Sequence, residues 1–374
     1  MKKKVLYTAS TFGHLATFHQ PYMRWFAEQG YEVHAAAGGE KKTLAGVSRL
    51  IELPFEKKMT APANFRAAGI LARLMREEGY ALVSTHTALA AFFTRLALRR
   101  AGKSDTVMMN TSHGYLFDAE TAGAKRWLLL GAERLCAPVT DYVLTMNRQD
   151  ERIARQYHLG KAIVQTPGMG VDFSRFAPAN AEQRSAARKA FGFSAEQVIL
   201  VYPAEFSGRK NQRMLIEALP SLPENVGLLL PGRGELLEAC VSLAAELGVS
   251  GRVVCPGFMS DVEMCYHAAD LAVSASRIEG LPFNLMEAMH CALPVVASRI
   301  KGHEDLVIDG ENGRLFPYNN KEAFVQAVCS LLSVQQRAAM GQAARRSVEC
   351  YGLPTVYPKL IEIYGSALAG HSSQ

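Results

Sequence analysis

No window of this 374-residue chain reaches the 18 or more uncharged apolar residues that a membrane span requires, so no part of it is expected to cross a bilayer. A secretion signal is not expected either. The start, MKKKVLYTAS, is basic, but its apolar run is short, and polar Thr11, His14 and His19 follow soon after. The chain is therefore expected to stay cytoplasmic. The seven cysteines (Cys136, Cys240, Cys255, Cys265, Cys291, Cys329 and Cys350) are odd in number, contain no C-x-x-C and each lie in or beside an apolar run. Buried reduced thiols fit that pattern better than a metal or redox site. Several catalytic signatures are absent too: there is no G-x-G-x-x-G after the first strand-like run, no P-loop, no H-E-x-x-H and no G-x-S-x-G. These absences argue against a dinucleotide dehydrogenase or an NTPase.

What is present is a globular composition, 49% hydrophobic and 20% charged, in a chain long enough for two domains. The charge is uneven. Residues 1–150 carry 20 Lys and Arg against 13 Asp and Glu, and the remainder carries 21 against 22, so the whole basic excess lies in the first half. Short β-branched runs recur with room for a helix between them: VLYTAS at 5, YEVHAAA at 31, ALVSTHT at 81, TVMMNTS at 106, DYVLTMN at 141 and AIVQTP at 162. They read as buried parallel strands. Helix-period segments such as FHQPYMRWFAEQG (18–30) and ALAAFFTRLALRRAG (88–102) separate them, each closing on glycine. After a polar section at 167–197, a second series follows: VILVYPAE, VGLLLPG, RVVCPGF, DLAVSAS and PVVAS. The expected fold is α/β, with two doubly wound parallel-sheet domains at 1–172 and 173–351. The segment 352–374 is expected to form a helix packing across the domain boundary.

Two clusters carry the chemistry. In RIEGLPFNLMEA (277–288), Glu279 falls in a strand-to-helix loop and Glu287 on the helix, which Pro282 suits as a start. Both carboxylates can flank the amides of Phe283, Asn284 and Leu285, a place that favours a phosphate, and can accept hydrogen bonds from sugar or ribose hydroxyls. Two glutamates at a helix start equally answer its dipole, and the pair alone does not separate these readings. In VYPAEFSGRKNQRMLIEAL (201–219), Arg209 and Lys210 fall at the C-terminal edge of the second sheet, the usual ligand side. No D-x-D occurs, so a diphosphate's charge is expected to be met by these cations, with no metal and no cofactor.

These residues, in a double Rossmann-like chain, resemble the retaining glycosyltransferases of family 4, whose GT-B architecture sets two such domains facing a cleft. The resemblance covers nearly the whole chain. Glu279, Gly280, Pro282 and Glu287 match the motif S-x-x-E-G-x-P-x-x-x-x-E-A-M, and Lys210 matches the diphosphate-binding lysine. It implies that Glu287 holds the ribose hydroxyls, that Glu279 contacts the transferred sugar, and that His113, in SHGYLF, faces the acceptor. MGVDFSRF (169–176) resembles the segment leading into the second domain. STFGHL is similar to a loop whose backbone, here at Gly13 and His14, approaches donor or acceptor. One departure stands out: the arginine usual five positions before the lysine is Glu205 here, and Arg209 is expected to replace its phosphate contact.

The resemblance is strongest to the branch that builds bacterial capsule and exopolysaccharide. It implies transfer from a nucleoside diphosphate sugar, a UDP-sugar foremost, to an acceptor hydroxyl on a lipid-linked glycan. A front-face reaction is implied, in which the leaving phosphate oxygen takes the acceptor proton. KKMTAPANFRAAGILARLMRE (57–77) combines basic residues with a Phe, Ile, Leu, Leu, Met face, as a helix docking on anionic lipid would. Inward packing explains that face as well. A cytosolic transferase acting on a soluble small acceptor, and a non-catalytic sugar-binding protein, are the other readings.

Overall fold

A computed structural model describes residues 3–102, 105–118 and 121–371. The chain divides into two compact units: Met1–Gly170 joined by Pro354–Gln374, and Val171–Leu353. The last helix, Leu353–His371, thus returns the chain to the first unit.

The first unit is built on seven parallel strands: β1 Lys4–Thr11, β2 Glu32–Gly38, β3 Arg49–Glu52, β4 Tyr80–His86, β5 Val107–Ser112, β6 Tyr142–Thr145 and β7 Ala162–Gln165. Their order is β3-β2-β1-β4-β5-β6-β7. β1 is central, and Val5 to Ala9 are all buried, which explains its near-continuous apolar sequence. The helix Pro62–Glu78 corrects one expectation. Leu71, Leu74 and Met75 pack into the core with Ala67, Phe93 and Leu98, and only Phe65 and Ile70 of the anticipated lipid-facing stripe remain exposed. The 3.6-residue period of this helix therefore records a core contact. Truncating Leu71 to alanine would cost roughly 2–5 kcal/mol.

The second unit carries six parallel strands: β8 Val198–Val201, β9 Val226–Leu229, β10 Val253–Val254, β11 Leu271–Ser274, β12 Val295–Ser298 and β13 Gly313–Phe316. Their order is β10-β9-β8-β11-β12-β13. The helix Ala181–Phe191 begins with a capping box in which Asn180 and Gln183 serve each other's backbone amides. In both units the strand order reverses beside the first strand, between β1 and β4 and between β8 and β11. Loops diverge at such a point and leave a crevice at the C-terminal strand ends, where doubly wound folds bind ligands. Among the described residues no helix is long and apolar enough to cross a membrane. Cys136, Cys240, Cys265 and Cys291 are buried and Cys255 is partly so, but Cys329 and Cys350 are exposed, contrary to the expectation that all would be buried.

Candidate active site

At the switch point of the second unit, the loop after β11 carries Glu279 and the loop after β8 carries the two cations. Lys210 Nζ donates to Glu279 Oε1 at 2.6 Å and Arg209 Nη1 to Glu279 Oε2 at 3.3 Å. Ser276 Oγ donates to Oε1 at 2.6 Å and is itself 2.6 Å from the Tyr202 hydroxyl. Burial would raise the Glu279 carboxyl, but Lys210 and Arg209 outweigh it and hold the group below the usual carboxylate range. The result is a carboxylate locked as an anion between two cations. Asn211, in the left-handed conformation at φ 55°, turns the chain into the helix Gln212–Ala218, so Lys210 lies in the turn just ahead of that helix.

The second glutamate occupies a different environment. Pro282 caps the helix Phe283–His290, and the Asn284 side chain donates to the Pro203 carbonyl at 2.9 Å, tying the helix start to the loop after β8. The far end is held by Phe173, whose ring stacks on His290 at 4.2 Å and 4°. This fixes Glu287, which accepts from the Tyr266 hydroxyl at 2.8 Å. Burial pushes its carboxyl up to about 7, with the Tyr266 hydrogen bond and Arg175 only partly offsetting that. Of the three helix-start amides anticipated to meet a phosphate, that of Leu285 already donates to Asn284 Oδ1 at 3.0 Å.

Glu287 opens onto a cavity of about 450 Å³ lined by Pro203, Glu205, Gly232, Arg233, Phe258 and Asn284, among others. That volume suits a nucleoside-sized ligand. Arg233 lies 5.9 Å over the Phe258 ring; this cation and aromatic face at the cavity were not anticipated from the sequence. The loop carrying them needs its glycines: a Cβ on Gly232 would meet the Ala204 carbonyl oxygen at 1.9 Å, and one on Gly234 the Phe206 oxygen at 2.2 Å. Glu205, at the position where an arginine was expected, lines this cavity, whereas Arg209 sits on Glu279.

In the first unit, His113 follows β5 and lies 3.4 Å, Nε2 to Nε2, from His14. Gly13 and His14 occupy the first turn of the helix Phe12–Phe18, capped by Thr11, where a loop was expected. A Cβ at Gly13 would meet nothing nearer than Thr11 Oγ1 at 3.8 Å, so local packing does not demand glycine there. Burial lowers the His14 imidazole to about 4 and holds that of His113 well below its ordinary range. Both rings are therefore neutral at pH 7. Beside them, His113, Met59, Phe92, Leu116 and Leu129 line an apolar pocket.

The family model described as glycosyl transferases group 1 matches residues 183–347, and that of glycosyltransferase family 4 matches residues 22–175. EpsD of Bacillus subtilis (strain 168), which bears the name of a glycosyltransferase, is 32% identical over 372 residues, 98% of this chain and 97% of its own. The Escherichia coli UDP-Gal:alpha-D-GlcNAc-diphosphoundecaprenol alpha-1,3-galactosyltransferase is 24% identical over 285 residues, covering 74% of this chain and 73% of the relative. The structure of Anabaena Alr3699/HepE in complex with UDP and glucose matches with a TM-score of 0.78 at 18% identity, over 97% of this chain and 100% of that one. This last likeness is one of fold, GT-B. By the family matches and the near full-length relative, the chain belongs to glycosyltransferase family 4.

Proposed function

We propose that the enzyme moves a hexosyl or N-acetylhexosaminyl group, with retained anomeric configuration, from a UDP-sugar to the hydroxyl of a lipid-linked glycan in bacterial polysaccharide synthesis. The observation that carries this reading is the Lys210–Glu279–Arg209 cluster at the switch point of the second unit, in which a buried carboxylate is held by a mostly buried lysine and an exposed arginine. Lys210 and Arg209 neutralise the diphosphate as the glycosidic bond breaks, so the donor phosphates need no divalent ion. Glu279 orients the sugar, and Glu287 accepts from the ribose hydroxyls with the base against Phe258 and Arg233. The leaving phosphate oxygen takes the acceptor proton, and His113 lines the acceptor side. A thermal-shift screen of UDP-, GDP- and ADP-sugars tests the donor, because a ligand of the folded state raises its apparent stability; absence of any shift counts against the reading.

Glu287 makes donor binding pH-dependent. A ribose diol donates to the carboxylate, so binding requires the ionised form of a group that takes its proton near pH 7. Well below that pH, the donor KM is expected to rise about tenfold per unit. Steady-state kinetics from pH 5.5 to 8.5 checks this, and Glu287→Gln should flatten the slope while raising KM at pH 8. A slope unchanged in the variant would remove Glu287 from the donor site.

The lipid-linked acceptor has support from the first unit. The helix Gly123–Cys136 leaves Trp127 64% and Leu128 74% exposed beside exposed Lys125 and Arg134. Leu116, half exposed, lines the pocket that holds His113. Apolar side chains among basic ones suit an anionic bilayer surface. This surface takes over the role first given to residues 57–77. In liposome flotation the protein is expected to float with anionic vesicles at low salt. Trp127→Ser with Leu128→Ser should lower the bound fraction at least several-fold. Failure to float with anionic vesicles even at low salt would favour a soluble small-molecule acceptor.

A further inference from the structure

We propose that His14, His19 and His113 form a binding site for one borderline divalent transition-metal ion, zinc foremost. They are the cluster of potential metal ligands found among the described residues: one nitrogen from each ring lies within 4.8 Å of the others. The closest approach is informative. Two nitrogens each 2.0–2.1 Å from a single tetrahedral ion lie about 3.4 Å apart by geometry, and His14 Nε2 and His113 Nε2 are separated by 3.4 Å.

A hydrogen bond between neutral rings explains that pair too, but leaves His19 unaccounted for. His19 is fully buried, and among the described residues neither of its ring nitrogens has a hydrogen-bond partner. Buried polar atoms are rarely left in that condition. Its ring lies 5.2 Å from His14 and 5.3 Å from His113, centroid to centroid, and its nitrogen, within 4.8 Å of theirs, reaches the same ion after a shift of at most about 1.4 Å, given the Zn–N distances above. His86 stacks on the His19 ring at 3.5 Å and is itself held by Ser84 Oγ at 3.1 Å, which restrains the plane of the His19 ring.

The backbone is equally settled. His14 lies in a capped helical turn, and the His19 carbonyl accepts from Tyr22 N and Met23 N at the start of the next helix. His113 directly follows β5. Ligands carried on strand ends and helix starts are positioned more rigidly than ligands on long loops. An all-imidazole set with no carboxylate favours zinc, copper or nickel over magnesium, calcium or manganese. Three protein ligands leave the fourth position of a tetrahedral ion to a water or to an oxygen of a bound molecule. The three histidines belong to the first unit and Lys210 and Arg209 to the second, and the proposal does not depend on how the donor diphosphate is neutralised.

The test uses the full chain, stripped with a chelator and dialysed against Zn²⁺ alone or Co²⁺ alone, with no donor or acceptor present, so its failure leaves the transferase reading untouched. One ion per chain and the intense visible absorption of tetrahedral cobalt are expected. His14 and His113, less buried than His19, carry the mutational arm, since replacing fully buried His19 also challenges the fold. His14→Gln and His113→Gln should each weaken binding on the order of a hundredfold or more, with unchanged far-UV circular dichroism. Lys210→Ala should bind the ion normally. Failure of the wild-type chain to retain an ion, or equal affinity in wild type and both histidine variants, would overturn the proposal.

Discussion

Lys210→Ala is expected to lower kcat by about 10²–10³-fold in a protein that still folds. The ammonium lies 2.6 Å from Glu279 and is mostly buried, its side chain 12% exposed, so its charge acts where water screens it little. A further negative charge develops on the diphosphate's leaving oxygen as the glycosidic bond breaks, so the loss should appear in kcat more than in donor KM. The fold survives because Arg209 remains as a second cation on Glu279. Lys210→Arg should recover part of the rate, since the charge is kept while the point geometry of the ammonium is not. Single-turnover kinetics with a saturating donor measures the effect directly.

Glu279→Gln is expected to reduce kcat by about 10²-fold or more, through two losses at once. The carboxylate that orients the sugar becomes a carboxamide, and Lys210 and Arg209 lose the anion that positions them. Because the two effects share one cluster, Lys210→Ala and Glu279→Gln should not add: the double variant should be little slower than the slower single one. Strict additivity would mean the two side chains act separately, against the contact seen between them. Heat denaturation separates this from unfolding, since loss of the buried carboxylate's charge alone should leave the transition cooperative.

The legibility of this molecule in its sequence divides along physical lines. The central strands β1, β4 and β8 are buried on both faces and read as apolar runs. β3 and β13 are not legible in the sequence, because they are edge strands of four residues, RLIE and GRLF, with two charged residues in the first, one in the second and little apolar sequence to mark them. The pairing of Glu279 with Lys210 was foreseeable only as co-location at one sheet edge; the contact comes from the reversal of strand order between β8 and β11. The amphipathic pattern of Pro62–Glu78 is visible in the sequence, but periodicity does not say whether a stripe meets core or lipid, and burial of Leu71, Leu74 and Met75 decides it. The cavity wall of Arg233 and Phe258 and the histidine cluster escaped notice for a common reason. Arg233 and Phe258 follow different strands, and His113 follows β5 while His14 and His19 follow β1, so only the parallel sheet, with all its strands ending on one side, brings each set together.

The central claim is that a nucleoside diphosphate sugar bound in the second unit is cleaved with retention through Lys210 and Glu279. Proton NMR of the protein with an α-linked UDP-sugar and no acceptor tests it most directly, because water then substitutes for the acceptor hydroxyl. The account predicts slow release of free sugar whose α-anomer appears first, before mutarotation, and a rate reduced at least about 10²-fold in Lys210→Ala. First appearance of the β-anomer, or an equal rate in that variant, would contradict it.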